Sequence, residues 1–379
     1  MSKLQPWRDH QPGKTTPTSP YVGTGEEAPL GYATGWVMLL PLADLPPRSV
    51  RTVRLNGGDV VVYRTTTGMV RVTRPFCPHL GAHIGHGGHV EGEAIVCPFH
   101  GFSFSTDGVM CKIADGYDAL PSHRTLQLMH HTESAAAIYV WTGQGEPTWP
   151  LPELLPPGST TPTYSTVELS SHPQELMENS VDLRHTRVLH NFEDHRFIEE
   201  PVGDGPHYRY RVTLRRRFPP FGRLTADISV ILYGLGVLRA YMKLPTLGLT
   251  FSAVMNNRQI APWRVHLIMG TSMAFDLDPT GPARHLTPAM RAKALRILSP
   301  VNHHMMMLDL MPDLPVWENK RYTAPPHLAK GTARSATCVS GPSSSTTKPT
   351  ARPRTPATLP SKNNEERPMT LSADELFVH

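Results

Sequence analysis

The sequence predicts an α+β protein: an N-terminal all-β part, then a C-terminal part in which an antiparallel sheet is flanked by helices. Three observations carry this. Short apolar runs punctuated by glycine fill 35–141, a proline-dense stretch over 144–162 interrupts them, and beyond it a helical pattern, several long strand patterns and more helical patterns follow. The 379 residues suit about two domains, each large enough for its own core. With 39 prolines and 18% charged residues, the chain is unlike a coiled coil or simple bundle, which Ala, Glu, Lys and Leu dominate.

Residues 1–28 are polar and proline-containing, with no apolar core for a signal peptide, and read as a flexible N-terminal segment. The β domain is expected over 29–143. Its strands fall at 50–55, 59–64, 69–73 and 138–141, with Asn56-Gly57-Gly58 and 65–68 as turns. Pro147, Pro150, Pro152, Pro156 and Pro157 make 144–162 a stiff linker. The second domain is expected over 163–330. Its helix at 173–189 opens on Pro173, whose missing N–H has no partner in a first turn anyway. Strands are expected at 208–218, 225–233, 237–244, 250–256 and 264–275, then helices at 287–298 and, after a break at Pro300, 301–310. The most apolar stretch, 228–238, is bracketed by Asp227 and Arg239. A spanning helix needs about 20 apolar residues, so a buried strand or short helix is expected, with no membrane span and a cytoplasmic location. The Ser/Thr/Pro-rich tail, 331–379, is expected to be disordered, and its terminal Leu376-Phe377-Val378 to be inert.

The net charge of +5 hints at an acidic partner, but no dense basic stretch with interleaved aromatics exists, so nucleic acid is not expected. Four cysteines are too few for a disulfide scaffold. They fit a reducing compartment, where cysteine serves as a metal ligand or a small hydrophobe. The informative ones stand in Cys77-Pro78-His79-Leu80-Gly81 and Cys97-Pro98-Phe99-His100-Gly101. A Cys₂His₂ zinc finger keeps its cysteines together and its histidines together, whereas here each half supplies one of each. Two cysteines on one iron and two histidines on the other describe a Rieske [2Fe–2S] centre.

On these residues the sequence resembles the Rieske family, with Cys77, His79, Cys97 and His100 as cluster ligands. Cytochrome bc-type members carry an extra cysteine in each loop. The corresponding positions here are Ala82 and Phe99, so the resemblance is to the disulfide-free, ferredoxin- or oxygenase-like branch. His83, His86 and His89 are expected to be loop residues or hydrogen-bond donors near the ligands, Cys111 a packing residue, and Cys338 incidental in the tail.

Asn179, Asp182 and His185 follow at i, i+3 steps, on one face of a helix. His190 lies five residues beyond His185, a rotation of about 140°, so both imidazoles meet one metal only if the helix ends or distorts between them. Taken alone, these residues are equally well ordinary surface polar groups. Asn-x-x-Asp-x-x-His-x₄-His after a Rieske domain resembles the mononuclear iron motif of Rieske non-haem iron oxygenase α subunits. The likeness covers 35–325. It implies a 2-His-1-carboxylate triad of His185, His190 and Asp313, the last within Asp313-Leu314-Pro315-Val316-Trp317, with Asp309 as competitor. It implies a helix-grip, START-like catalytic domain. It also implies that Asp182 joins His185 to His100 of a neighbouring copy in a homotrimer, with Asn179 near the iron.

Neither Gly23-x-Gly25 nor Gly234-x-Gly236 makes a nucleotide fingerprint. The resemblance therefore implies a separate flavin reductase, a ferredoxin or both, bringing electrons from NAD(P)H. Arg215-Arg216-Arg217 reads as a solvated strand edge, with an acidic ferredoxin's dock as the other reading. The expected activity is hydroxylation, desaturation or demethylation by dioxygen of a hydrophobic substrate: a steroid, terpenoid, aromatic or secondary metabolite. The ending Asp313-Leu314-Pro315-Val316-Trp317-Glu318-Asn319-Lys320 resembles the ketosteroid hydroxylase and sterol desaturase branch. The segments 228–238 and 267–275 and Met305-Met306-Met307 are candidates to line an apolar pocket, while His303 and His304 are expected to pack or face solvent. The alternative is a Rieske-type electron-transfer protein with a non-catalytic fused binding domain.

Overall fold

The computed structural model describes residues 7, 21–22, 30–113, 116–117, 125–218, 222–244, 248–276, 281–323 and 346–347. Residues 1–348 form one compact unit. Apart from residues 7, 21–22 and 346–347, the expected N-terminal segment and tail, with Cys338 and 376–378, lie outside the described residues.

The N-terminal part is built of small antiparallel sheets. Strands β1 (Trp36–Pro41), β2 (Ser49–Leu55), β3 (Gly58–Arg64) and β4 (Val70–Thr73) come first, and β2-β3-β4 form one sheet. Asn56 and Gly57 both have positive φ (51° and 75°), as a two-residue hairpin with right-handed twist requires. Strands β5 (His89–Glu91), β6 (Ala94–Val96), β7 (Ser103–Phe104) and β8 (Met110–Lys112) form a meander. Strands β9 (His131–Ser134) and β10 (Ala137–Trp141) pair in the order β9-β10-β1.

Seven long strands make the second sheet. Strand β11 (Thr163–Leu169) leads into helices α1 (Pro173–Val181) and α2 (Leu183–Leu189). Then follow β12 (Asp194–Asp204), β13 (His207–Phe218), β14 (Gly222–Tyr233), β15 (Val237–Leu244), β16 (Leu249–Ala261) and β17 (Arg264–Phe275). Helices α3 (Pro288–Leu310) and α4 (Leu314–Asn319) close the domain. The order is β11-β17-β16-β15-β14-β13-β12, all antiparallel, so the first strand returns beside the last.

Period-two alternation buries both faces of this sheet. On β17, Val265, Leu267 and Met269 join the core beneath the helices, with Leu176, Met177, Leu310, Leu314 and Trp317. Ile268 points the other way, with Val237 and Val254, into a cluster shared with Trp36, Met38, Tyr139 and Trp141 of the N-terminal part. The proline-rich segment contributes Leu151 and Leu154 to that cluster. Polar contacts join the same layers: Tyr139 Oη donates to Asn256 Oδ1 at 3.0 Å, both buried.

Four expectations need correction. The 173–189 helix is two helices, broken at Asp182. Helix α3 runs through Pro300 without a stop, because Leu295, His303 and Met307 on either side of it are buried and hold its course. The 228–238 stretch is neither one strand nor a helix but the end of β14, a turn and the start of β15. The arginine run lies on β13, which has neighbours on both sides and is no sheet edge.

Candidate metal centres

Two loops of matching geometry carry the Cys-His pairs. Cys77 N–H donates to Ala82 O (2.8 Å) and Gly81 N–H to Cys77 O (3.0 Å). In the second loop Cys97 N–H donates to Phe102 O (2.8 Å) and Gly101 N–H to Cys97 O (3.1 Å). Both glycines have φ of 75°, a region that L side chains seldom enter, so each loop closes where glycine stands. Both sulfurs are buried and adjacent. Burial is the larger reason that the Cys77 thiol is pushed up, and the neighbouring Cys97 adds to it. The Cys77 thiol, which ionises poorly alone, becomes a good ligand once a cation takes the proton's place. The imidazoles of His79 and His100 meet on their own side, with ring centroids 4.9 Å apart at 69°. Paired sulfurs on one side and paired imidazoles on the other fit a two-iron cluster. Ala82 and Phe99 leave the loops without a disulfide partner, and the described cysteines are free.

The second donor set gathers at two helix breaks. Asp182 ends α1 and starts α2, its carboxylate accepting from Arg184 N–H at 3.0 Å. Its backbone carbonyl accepts from His185 Nδ1, which turns the Nε2 lone pair away from the chain. Helix α2 stops at His190, the cap residue, so the distortion required between the two imidazoles is the end of the helix itself. Their rings lie 5.4 Å apart at 78°. Asp313 stands in the turn between α3 and α4, held by buried Leu310, Leu314 and Trp317. Its Oδ2 is 3.2 Å from His190 Nε2 and its Oδ1 3.9 Å from His185 Nε2. One atom from each of the three residues falls within 4.8 Å of the others. Asn179 Nδ2 donates to Asp313 Oδ1 at 3.4 Å and lies 3.3 Å from His185 Nε2.

This pocket of charge treats the two histidines differently. Burial pushes the His185 pKa down despite Asp313, whereas the hydrogen bond to Asp313 pushes His190 up. Two imidazoles and one carboxylate converging from separate elements are a donor set that would hold a mononuclear iron. Asp309 is turned to other work: Arg216 donates to its carboxylate and stacks over Phe192. The pairing leaves no mark in the sequence, because β13 and α3 are far apart along the chain.

The remaining candidates take ordinary places. His303 is buried and bonds Ser165 Oγ (2.7 Å) and Thr271 Oγ1 (2.9 Å), while His304 packs on Trp7. Met307 is core and Met305 is exposed. Cys111, expected to pack, is exposed, its thiol 3.5 Å from Ser103 O. Glu175 and Glu178 on α1 share the cation of Lys320, and burial raises both of their pKa values.

Comparison with known proteins covers both parts of the chain. Residues 35–124 match the Rieske [2Fe-2S] domain, and residues 138–336 the 3-ketosteroid 9α-hydroxylase C-terminal domain. A cholesterol 7-desaturase of Bombyx mori is 27% identical over 329 residues, covering 81% of this chain and 68% of that protein. The oxygenase component of a Rhodococcus rhodochrous 3-ketosteroid-9-alpha-monooxygenase is 28% identical over 172 residues, 43% of this chain and 44% of its own. Among solved structures, the oxygenase of a carbazole 1,9a-dioxygenase–ferredoxin complex matches with TM-score 0.58 at 13% identity, covering 81% of this chain and 87% of that one. Dicamba monooxygenase matches with TM-score 0.54 at 14% identity, over 80% and 94%. Since the catalytic-domain match alone spans more than half of the chain, the protein belongs to the Rieske non-haem iron oxygenases of the 3-ketosteroid 9α-hydroxylase type, oxidoreductases that use a [2Fe–2S] cluster and a mononuclear iron.

Proposed function

We propose that the protein is the oxygenase component of a steroid- or terpenoid-modifying system, hydroxylating or desaturating a hydrophobic polycyclic substrate. Cys77 and Cys97 hold one cluster iron, His79 and His100 the other, and His185, His190 and Asp313 hold the mononuclear iron. The observation that carries the reading is the convergence of those last three side chains within 4.8 Å beside Asn179. The iron, when bound, supplies dioxygen activation. Hydroxylation converts R–H, dioxygen, two electrons and two protons into R–OH and water. Those electrons come from NAD(P)H through a separate reductase, a ferredoxin or both.

The protein's own part is to hold and orient. The Asp182 carbonyl fixes the His185 tautomer, and the Asn179 amide, donating to Asp313, leaves Oδ2 toward His190. Phe76, Leu80 and Phe99 around the cluster loops are 59%, 66% and 61% exposed, an apolar rim suited to docking. In the proposed cytoplasmic homotrimer that rim meets a neighbouring copy. There Asp182, whose carboxylate caps α2 through Arg184 N–H, passes electrons from His100 to His185. Residues 29–143 form the electron-storing domain and 163–330 the catalytic one, joined by 144–162. The described residues contain no helix long and apolar enough to cross a membrane.

Purified protein with a generic reductase, screened against steroids, sterols, terpenoids and aromatics, tests the substrate class through product-coupled dioxygen uptake. In the same assay His185→Ala is expected to retain the visible and electron-spin spectra of the cluster, lose the mononuclear iron and abolish turnover. Persistent turnover in that variant would sink the triad.

A further inference from the structure

We infer that Asp59, His83 and His86 form a further metal site, separate from both iron centres, that takes one borderline divalent cation, Zn²⁺ foremost. The loop after the first cluster ligands begins pinned to the chain before them. Phe76 and His83 form a β-bridge, and Ile84 N–H donates to Pro75 O at 2.7 Å. A tight turn follows, with His86 N–H donating to His83 O at 3.1 Å, and it brings the two rings to 4.4 Å. Gly85 lets this turn lie flat on β2. A Cβ there would come 2.0 Å from Thr52 Oγ1. The neighbouring strand β3 then presents Asp59, whose Oδ2 is 3.4 Å from His83 Nε2. One ligand atom from each of Asp59, His83 and His86 falls within 4.8 Å of the others.

The surroundings orient these donors without using them up. Arg54 donates to Asp59 Oδ1 at 3.3 Å, which leaves Oδ2 turned to the histidines. Phe76 packs edge-on against the His83 ring, at 5.5 Å and 86°. Both ring nitrogens of His83 are buried and, among the described residues, neither makes a hydrogen bond of good geometry, Nε2 meeting Asp59 Oδ2 only at 3.4 Å; a Lewis acid would take up one of the two. Two imidazoles with one carboxylate select Zn²⁺, Ni²⁺ or Cu²⁺ over Mg²⁺ or Ca²⁺, which want oxygen donors. Three protein ligands leave the remaining positions to water. An ion here ties the β2–β3 hairpin to the segment that runs on from Cys77 and His79, and so clamps the first cluster loop from outside.

The inference does not rest on the proposed activity. Iron-loaded protein is equilibrated with low-micromolar zinc sulfate, desalted, and its iron and zinc counted by mass spectrometry. About one zinc per chain is expected in addition to about three irons. Zinc affinity is expected to fall at least about 10-fold in His83→Ala and in Asp59→Asn, with the iron count and the cluster's visible spectrum unchanged. Should His83→Ala not fold, His86→Ala at the exposed ligand carries the same test. A zinc count that these substitutions leave unchanged overturns the proposal. So does zinc taken up only as iron is lost, which assigns it to the iron sites. Failure of the iron triad would instead be read from an unchanged iron count in His190→Ala.

Discussion

His172 is wholly buried ahead of α1 and makes two hydrogen bonds as a neutral ring. Its Nδ1 accepts from Gln174 N–H at 3.1 Å and its Nε2 donates to Gly31 O at 3.0 Å. Burial pushes its pKa down to about 4, against about 6.5 in the unfolded chain. Between those values the unfolded state binds the extra proton, so this stability is fully present above pH 6.5 and is lost as pH falls through about 4. The change is of order 3 kcal/mol. Urea midpoints measured from pH 7 to pH 4 are expected to fall steeply in the native protein and less steeply in His172→Asn. Equal slopes would assign the acid sensitivity to other groups. Only half of this role is local: Gln174 is two positions on, but Gly31, which accepts from Nε2, is 141 positions away. The cluster ligands are the opposite case. Each Cys-His pair closes its own loop within five residues, so spacing alone made them legible. The choice of Asp313 over Asp309 lies between: the motif frame favours one, but Arg216, arriving from β13, is what occupies the other.

At the scale of elements, amphipathic pattern located the long strands well and failed where burial is one-sided or absent. Strand β12 is mostly exposed along its length and carries no apolar period, so it reads as loop until its ladder with β13 is seen. Helix α3 errs the other way. Pro300 withholds the N–H that would bond one turn back, a local cost that usually ends a helix. Here the contacts of Leu295, His303 and Met307 outweigh it. Pro300→Ala restores that hydrogen bond and is expected to stabilise the protein by about 1–3 kcal/mol, read as a higher thermal midpoint. A lower midpoint would mean that the Pro300 ring is itself needed where α3 packs on the sheet. The break at Asp182 has the reverse logic. Helical spacing is continuous across it, yet the Asp182 side chain caps the second helix and its carbonyl is given to His185.

For the whole molecule, the decisive contact is between layers. Gly236, in the turn joining β14 to β15, lies against β1, where an added Cβ would stand 2.1 Å from Trp36 O. Backbone on that side cannot swing away as a side chain could. Gly236→Ala is therefore expected to destabilise the protein by about 1–3 kcal/mol and to loosen the joint shared by Tyr139 and Asn256, measured as a lower urea midpoint. An unchanged midpoint would show that the layers slide freely at this contact. The sequence by itself determined the α+β class, the order of the main elements, both iron-binding motifs and the family, because each is written in residues close together in the chain or in alternation along one strand. Only the tertiary structure decided which distant groups meet. It set Asp313 rather than Asp309 opposite His190, Asp59 beside His83 and His86, and the N-terminal layer on the far face of the catalytic sheet. Such meetings join side chains carried by separate elements, and how those elements pack is a property of the whole rather than of any segment.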